Sequence, residues 1–301
     1  MTLSAPARRL DRAAPGWPER LEHLEAPPPA LWLHGALPPP GTPCVAVVGS
    51  RRAAPGALLT ARDIALDLAA AGIAVISGLA RGVDAAAHRG ALLGDGVTIA
   101  VLGCGIDLCY PPEHVDLRDR IAAGGCVVSE DGGLEPPLSW RFPKRNRLIA
   151  ALAEAVVVVE ATARSGALST ARWAADLGRE VLAVPGSIRS PGSVGTNLLI
   201  RDGVRPFLGI GDLFEAVPEL RRAMIAEPAG RADPSPAGAE PAAGDPVLRL
   251  VLGQLGADPV HPDELAATLG LGMATLATAL TTLQLRGAII EVCGGRVART
   301  V

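Results

Sequence analysis

From Val45 onward, short uninterrupted apolar runs alternate with longer segments of helical spacing. The runs are VAVVGS (45–50), IAVISG (73–78), TIAVLGCG (98–105), CVVSE (126–130), AVVVVEA (155–161) and EVLAVPG (180–186). None alternates polar with apolar residues, which is the mark of strands buried on both faces of a parallel sheet. Between them lie segments of helix length, such as 57–71, 83–93 and 166–178. Strand, helix, strand repeated about six times predicts an α/β fold with a doubly wound sheet over residues 44–225.

The flanks read differently. Residues 1–43 are rich in Pro, Ala and Arg, with one short helical hint at 18–24, and are set apart as a lead-in segment. Residues 226–245 contain no large apolar residue and are dense in Pro, Gly and Ala, the composition of a flexible linker. Beyond it, 246–301 predicts a second module. VLRLVLGQL makes a first helix, and Pro262-Asp263-Glu264 opens a second with Pro at its start and acids in its first turn. Leu276, Leu280 and Leu283 mark a third that stops at Gly287, and AIIEV, a Cys-Gly-Gly turn and RVART make a hairpin. This is the layout of a winged helix-turn-helix.

Composition narrows the picture. Of 301 residues, 49% are hydrophobic and 20% charged, which excludes a wholly disordered chain. No apolar run approaches the ~20 residues of a membrane helix, and the N-terminus has no signal-like apolar core, so a cytoplasmic protein without a membrane partner is expected. The net charge of −3 means that any polyanion must be held by a local cluster. Lys and Arg number 28, and Lys144 is the one lysine. Cys44, Cys104, Cys109, Cys126 and Cys293 lie in or beside apolar runs without metal-ligand spacing and read as core cysteines.

Ligands of an open parallel sheet bind beyond the carboxyl ends of its strands. Those ends are rich here in Gly, Ser and Arg: Gly49-Ser50-Arg51-Arg52 before Pro55-Gly56, Ser77-Gly78-Leu79-Ala80-Arg81-Gly82, and Ala163-Arg164-Ser165-Gly166. Gly and Ser let the backbone approach a phosphate, a helix N-terminus supplies N–H donors, and Arg forks onto phosphate oxygens. Three such turns on one edge predict a polyanion surface. The run Trp140-Arg141-Phe142-Pro143-Lys144-Arg145-Asn146-Arg147 adds four cations and two aromatics, in a chain with only four Trp, three Phe and one Tyr. Cations for phosphates and rings for bases are the elements of single-strand recognition. A basic helix start with Phe142 in the core would read the same way, although cations there oppose the helix dipole and stabilise the local fold little.

Catalytic signals are weaker. Gly103-Cys104-Gly105 lacks the third glycine of the dinucleotide fingerprint, and neither a phosphate-loop motif nor a nucleophile elbow occurs. Asp84 and His88 stand four apart on one helix, which fits a metal or acid/base pair and fits a helix cap with a packed His equally well. No catalytic set, metal site or cofactor is expected. The second module carries four Arg (249, 286, 296, 299) and four acids (258, 263, 264, 291), and its third helix, Met273 to Leu285, has no Lys or Arg. A duplex reader places cations against phosphate, so this module is expected to be a protein-contact or accessory element.

VAVVGSRRA, SGLARGVDAAAH, TIAVLGCGIDLCYP, VVSE, FPKRNRLIAALAEAVVVVEATARSGALSTARWA and REVLAVPGSIRSPGSVGTNLLIRDG follow one another in order. Together they resemble the DNA-processing protein A family (DprA, also called Smf), over roughly residues 16–215. GWPERLEHLEAPPPALWLHG looks like the segment before that family's core, and the tail from about 246 like its winged-helix module. Members often carry a further N-terminal helical domain, for which residues 1–43 leave no room. The resemblance implies an extended Rossmann-like domain that dimerises and is not an enzyme. It would bind single-stranded DNA taken up in natural transformation, protect it and load the RecA recombinase. The implied DNA groove is lined by Gly49, Ser50 and Arg51, by the turn from Ser77 and Gly78 to Arg81, and by Lys144, Arg145, Asn146 and Arg147. Ser165 and Gly166 complete it, with Phe142 as the stacking ring. Arg81 and Arg164 rank below Arg51 and Lys144, because structural salt bridges would occupy them equally well. The competing class is a nucleotide-processing hydrolase of the same superfamily. Its P-G-G-x-G-T turn is only echoed by Pro191-Gly192-Ser193-Val194-Gly195-Thr196-Asn197, with no Glu at hand and Asp202 too late.

Overall fold

The computed structural model describes residues 6–220, 246–255, 260–269, 271–285, 289–292 and 296–299. The chain divides between Glu227 and Pro228 into two compact units. In the first, a nine-stranded sheet has the order β1-β2-β6-β5-β4-β3-β7-β8-β9. Its strands are β1 (Arg8–Asp11), β2 (Ala30–Gly35), β3 (Cys44–Val48), β4 (Ala74–Ser77), β5 (Thr98–Val101), β6 (Cys126–Ser129), β7 (Ala155–Val158), β8 (Glu180–Ala183) and β9 (Arg205–Pro206). From β6 to β9 every pairing is parallel, whereas β1 and β2 are antiparallel additions beyond β6.

The crossovers are α1 (Pro55–Ala70), α2 (Val83–Leu93), α3 (Val115–Gly124), α4 (Arg141–Leu152) and α5 (Ala167–Asp176), followed by α6 (Val194–Arg201) and α7 (Ile210–Ala216). Side chains alternate across a strand, so β3 feeds two cores at once. Ala46 and Val48 pack in one layer with Leu148, Ile149 and Leu152 of α4 and Ala171 and Ala174 of α5. Val45 and Val47 pack in the other with Ile64 and Leu68 of α1, Ala87 of α2 and Leu213 of α7. Two apolar faces explain why the runs showed no alternation. The six runs read as strands match β3 to β8, with β3 starting one residue earlier at Cys44 and each strand ending before its run does. The residues that finish the runs, such as 102–105, lie outside the strands.

The lead-in reading of residues 1–43 needs correction, because β1 and β2 belong to the same sheet. Leu31 and Leu33 of β2 are fully buried, and Leu10, Leu21 and Leu24 join the layer of α4 and α5. The apolar run Ala30–His34 covers the otherwise open edge of β6, where an unpaired strand would invite association. The helical hint at 18–24 is a single 3-10 turn, Glu19–His23.

Among its described residues the second unit has three helices, α8 (Pro246–Gln254), α9 (Pro262–Leu269) and α10 (Met273–Leu285), and an antiparallel pair of strands, β10 (Ile289–Val292) and β11 (Arg296–Arg299). Leu248, Val251, Leu265, Leu276, Leu280, Leu283, Ile289 and Val297 form its core, with the three predicted leucines of α10 among them. The proposed linker 226–245, Gly287 and the Cys-Gly-Gly turn lie outside the described residues. Among the described residues no helix is long and apolar enough to cross a membrane.

Candidate nucleic-acid interface

Chain order and sheet order part company between β3 and β7: β4, β5 and β6 lie on one side of β3, and β7, β8 and β9 on the other. Connections diverge at such a switch point and leave a crevice beyond the strand ends. Here it measures about 760 Å³ and is walled by Gly49–Arg52, Ala80, Asp84, Phe142, Arg145, Asn146, Glu160, Ser165, Gly166, Pro191 and Gly192, among others.

The turn after β3 is tightly seated. A Cβ on Gly49 would lie 2.6 Å from Val83 Cγ2 and 3.0 Å from the Glu160 carbonyl oxygen. Gly82, at φ +77°, starts α2, and a Cβ there would overlap the Ser50 carbonyl oxygen, which accepts the Val83 N–H at 3.2 Å. Ser50 Oγ accepts the Arg52 N–H at 3.1 Å. This frame holds Arg51 and Arg52 outward. Both are exposed, and neither forms an ion pair among the described residues. The Arg51 guanidinium stacks 4.8 Å from the centre of the half-buried Phe142 ring, which lies 5.7 Å from that of Tyr110. Such a cation–ring contact is worth about 0.5–1 kcal/mol at an exposed site, enough to orient the side chain but not to spend its charge.

The expected anion site at the start of α1 is already occupied. Glu160, buried at the end of β7, accepts the Ala54 N–H through Oε2 at 3.2 Å. A carboxylate at that helix N-terminus takes the dipole's favourable position and repels a phosphate. Anion binding in the crevice therefore falls to side-chain cations. The sequence reading missed Glu160, although an acid ending a run of four valines was the available signal.

Ser77 and Gly78 of the turn after β4 are buried, so of this turn it is Ala80 and the exposed Arg81 that reach the edge. Ser77 is fully buried and donates from Oγ to the Val47 carbonyl at 2.7 Å. Asp84 accepts the N–H groups of Gly78 and Ala80 at 3.1 and 3.3 Å. Arg145 is buried too. It donates to the Gly78 carbonyl at 2.8 Å and to the Val101 carbonyl, and a Cβ on Gly78 would lie 2.5 Å from its guanidinium. Burial pushes the Asp84 carboxyl upward against the opposing pull of Arg145, and it brings Arg145 down to about 10 against the pull of Asp84. Ser77, Gly78 and Arg145 thus hold three strand exits together. Arg81 faces out and pairs with Glu113.

The basic run after β6 is itself the first turns of α4, and a helical period divides it. Arg145 and Asn146 turn inward, while Lys144 and part of Arg147 turn outward. Asn146 Nδ2 donates to the Gly166 carbonyl at 3.2 Å and to Ser169 Oγ at 2.8 Å, tying α4 to the turn after β7. Arg141 pairs with Asp131 at 2.6 Å and Glu135 at 2.7 Å, and Arg147, 11% exposed, pairs with Glu130. The idea that these cations contribute little to the local fold fails, because three acids in the preceding loop hold them. Lys144 keeps 45% of its side chain exposed, 3.7 Å from Glu130 Oε1, and is the freest cation of the run.

After β7, Ser165 Oγ accepts the Ala167 N–H at 3.3 Å, Gly166 is exposed, and Arg164 is exposed without an ion pair among the described residues. Of the two arginines ranked lower because salt bridges would occupy them equally well, Arg81 is paired, whereas Arg164 has no such partner among the described residues. Asp84 and His88 do not act as a pair. His88 Nδ1 lies 2.7 Å from Thr98 Oγ1, whose hydroxyl donates to the Val75 carbonyl at 2.9 Å, so the imidazole carries its proton on Nδ1. Burial lowers His88 to about 3. The described residues contain no group of three His, Cys, Asp or Glu able to hold a metal. Cys44, Cys104 and Cys126 are buried and Cys109 half-buried, as core residues should be, and Cys293 lies outside the described residues.

Comparison with known proteins now places the chain. The family model described as DNA recombination-mediator protein A matches residues 9–218, and the DprA winged helix domain matches 234–295. A putative DNA processing protein DprA of Mycobacterium tuberculosis is 43% identical over 203 residues, 67% of this chain and 52% of that protein. The chain thus spans about half the length of that relative. The solved DNA processing protein A of Streptococcus pneumoniae superposes with a TM-score of 0.65 at 36% identity, over 71% of this chain and 75% of its own. The Helicobacter pylori protein, whose structure concerns its single-stranded DNA binding mode, gives a TM-score of 0.64 at 28% identity, over 73% and 99%.

Proposed function

The chain belongs to the DNA recombination-mediator protein A family, and from that premise we propose that it binds single-stranded DNA along the strand-exit edge without regard to sequence. Arg51, Arg52 and Lys144 take phosphates, and Phe142 and Tyr110 offer faces to bases. The observation that carries this reading is Arg51, unpaired and stacked on Phe142 at the mouth of the switch-point crevice. The Helicobacter pylori relative supports it. On the same reading the protein is a non-enzymatic mediator in the cytoplasm that protects incoming strands and loads a RecA-type recombinase during transformation. It works as a homodimer through the Rossmann-like domain, so that two grooves on one strand raise avidity without new contacts. On the same reading residues 226–245 join the Rossmann-like domain to the winged module.

The test is binding of a fluorescent oligo-dT against a matched duplex across a salt series. Single strands should bind in preference, with affinity falling as salt rises. Arg51→Ala should weaken binding about tenfold and flatten the log–log salt slope by about 0.7, the value of one released phosphate contact on a single strand. Its Tm should stay at the wild-type value. No binding at moderate salt, or a preference for duplex, overturns the reading.

A further inference from the structure

Arg189 stands exposed at the tip of the loop after β8, without an ion pair among the described residues, and its neighbour Ile188 is 91% exposed. The loop is built to present them. Asn197 clamps its base, accepting the Gly186 N–H at 3.1 Å and donating to the Gly186 carbonyl at 2.9 Å. Ser187 Oγ accepts the Arg189 N–H at 3.2 Å, and the Ser190 and Ser193 N–H groups close successive turns at 3.0 Å. The same loop forms a wall of the crevice through Pro191 and Gly192. A Cβ on Gly192 would lie 2.8 Å from the Glu160 carboxyl carbon, and the Gly195 N–H donates to the Ala161 carbonyl at 2.6 Å. That contact seats the loop directly against the exit of β7, and three residues on from Ala161 lies Arg164, without an ion pair among the described residues.

Apart from the buried Glu160, the stretches at these exits carry positive charge only. No acid occurs between Gly49 and Arg62, between Ala161 and Ala175, or between Val184 and Arg201. Ile188 lends nothing to the core and is held in water by a clamped loop.

We propose that Arg164 and Arg189 form a second phosphate-binding stretch for the single strand, with Ile188 as an apolar wedge against a base. This rests on the single-strand reading above and extends it. The strand leaves the crevice over the exits of β7 and β8 rather than over the acid-bearing loop that precedes α4. A side-chain cation on each phosphate and an apolar contact on a base face are both indifferent to sequence.

The full chain, wild type and with Arg189→Ala or Ile188→Ser, should be titrated with oligo-dT of increasing length across a salt series. Arg189→Ala should bind the shortest oligonucleotides as wild type does and lose affinity only for those long enough to reach the loop. Its salt slope on long strands should flatten by about 0.7. Ile188→Ser should weaken long strands with the slope unchanged, and both variants should melt with wild type. Wild-type affinity for long strands in both variants overturns the proposal. So does a changed oligomeric state with unchanged DNA binding, which would make the loop a protein contact. Failure of wild type to bind any single strand would instead sink the underlying reading.

Discussion

The two halves of the strand-exit edge carry similar numbers of arginines and use them in opposite ways. After β4, β5 and β6, the cations are consumed: Arg81 by Glu113, Arg141 by Asp131 and Glu135, Arg147 by Glu130, and Arg145 by the carbonyls it crosslinks. After β3, β7 and β8, Arg51, Arg52, Arg164 and Arg189 stand in solvent without an ion pair among the described residues, and the acid close to them in sequence, Glu160, is buried and accepts the Ala54 N–H. Counting basic residues therefore points to a half in which most of the cations are already paired. A salt-bridged surface arginine has little charge left to offer, and a buried one none, whereas an unpaired exposed one offers all of it.

The sharpest way to break this contrast is within α4, where adjacent cations should behave as opposites. Arg145→Ala leaves the Gly78 and Val101 carbonyls without their donor and Asp84 without its counter-charge. Removing one partner of such a buried set costs about 3–5 kcal/mol, which chemical denaturation should record. Lys144→Ala should leave stability within about 0.5 kcal/mol of wild type and weaken single-strand binding instead. Equal stability losses in the two variants would dissolve the distinction drawn from their burial.

The platform beneath both halves has its own dependence on pH. His88 is held neutral by burial, with a folded value of about 3 against an unfolded value near 6.5. A lowered value contributes stability that is complete above pH 6.5 and lost as pH falls below it. Between pH 6.5 and 5 the loss should reach about 2 kcal/mol, at about 1.4 kcal/mol per pH unit. Asp84, raised by burial, acts in the opposite sense across the carboxylate range. The effect is therefore read above pH 5. His88→Asn should flatten that segment of the stability curve, and an unchanged slope would remove His88 as its source.

How much of this was legible follows from what each signal depends on. The parallel sheet was readable because an apolar run of five or six residues needs no partner to be recognised. A binding edge beyond the strand ends was readable from the Gly, Ser and Arg of the turns, whereas the strand order that opens the crevice between β3 and β7 was not. Paired and unpaired cations were not distinguishable, because pairing joins residues from separate loops, as Arg81 to Glu113 or Arg141 to Asp131. The inward turn of Arg145 could have been anticipated by continuing the helical period of LIAAL back through the basic run. β2 was overlooked because its run is short and preceded by three prolines, and what makes it a strand is the open edge of β6.

A smaller effect probes whether the consumed half can be released. Glu130 neutralises Arg147 and lies beside Lys144. Glu130→Gln should raise single-strand affinity about two- to threefold at low salt, an advantage that fades as screening sets in. Unchanged affinity at low salt would mean that no phosphate passes within reach of α4. Lys144 would then leave the interface, and the contrast between the two halves would become absolute.

The smallest effect expected is from removing the second unit altogether. Its sequence from 246 onward balances four arginines against four acids, and α10, the helix a winged module would lay on a duplex, holds no Lys or Arg. The first unit is compact by itself and carries Arg51, Arg52, Arg164 and Arg189, which form no ion pair among the described residues. A chain ending after residue 226 should therefore bind oligo-dT within about twofold of the full protein and keep its salt slope, since the slope counts phosphate contacts and these lie on the first unit. Loss of affinity with an unchanged slope would assign the winged module an indirect part, through assembly. Loss of both would move the phosphate contacts onto that module, and the free arginines of the edge would need another ligand.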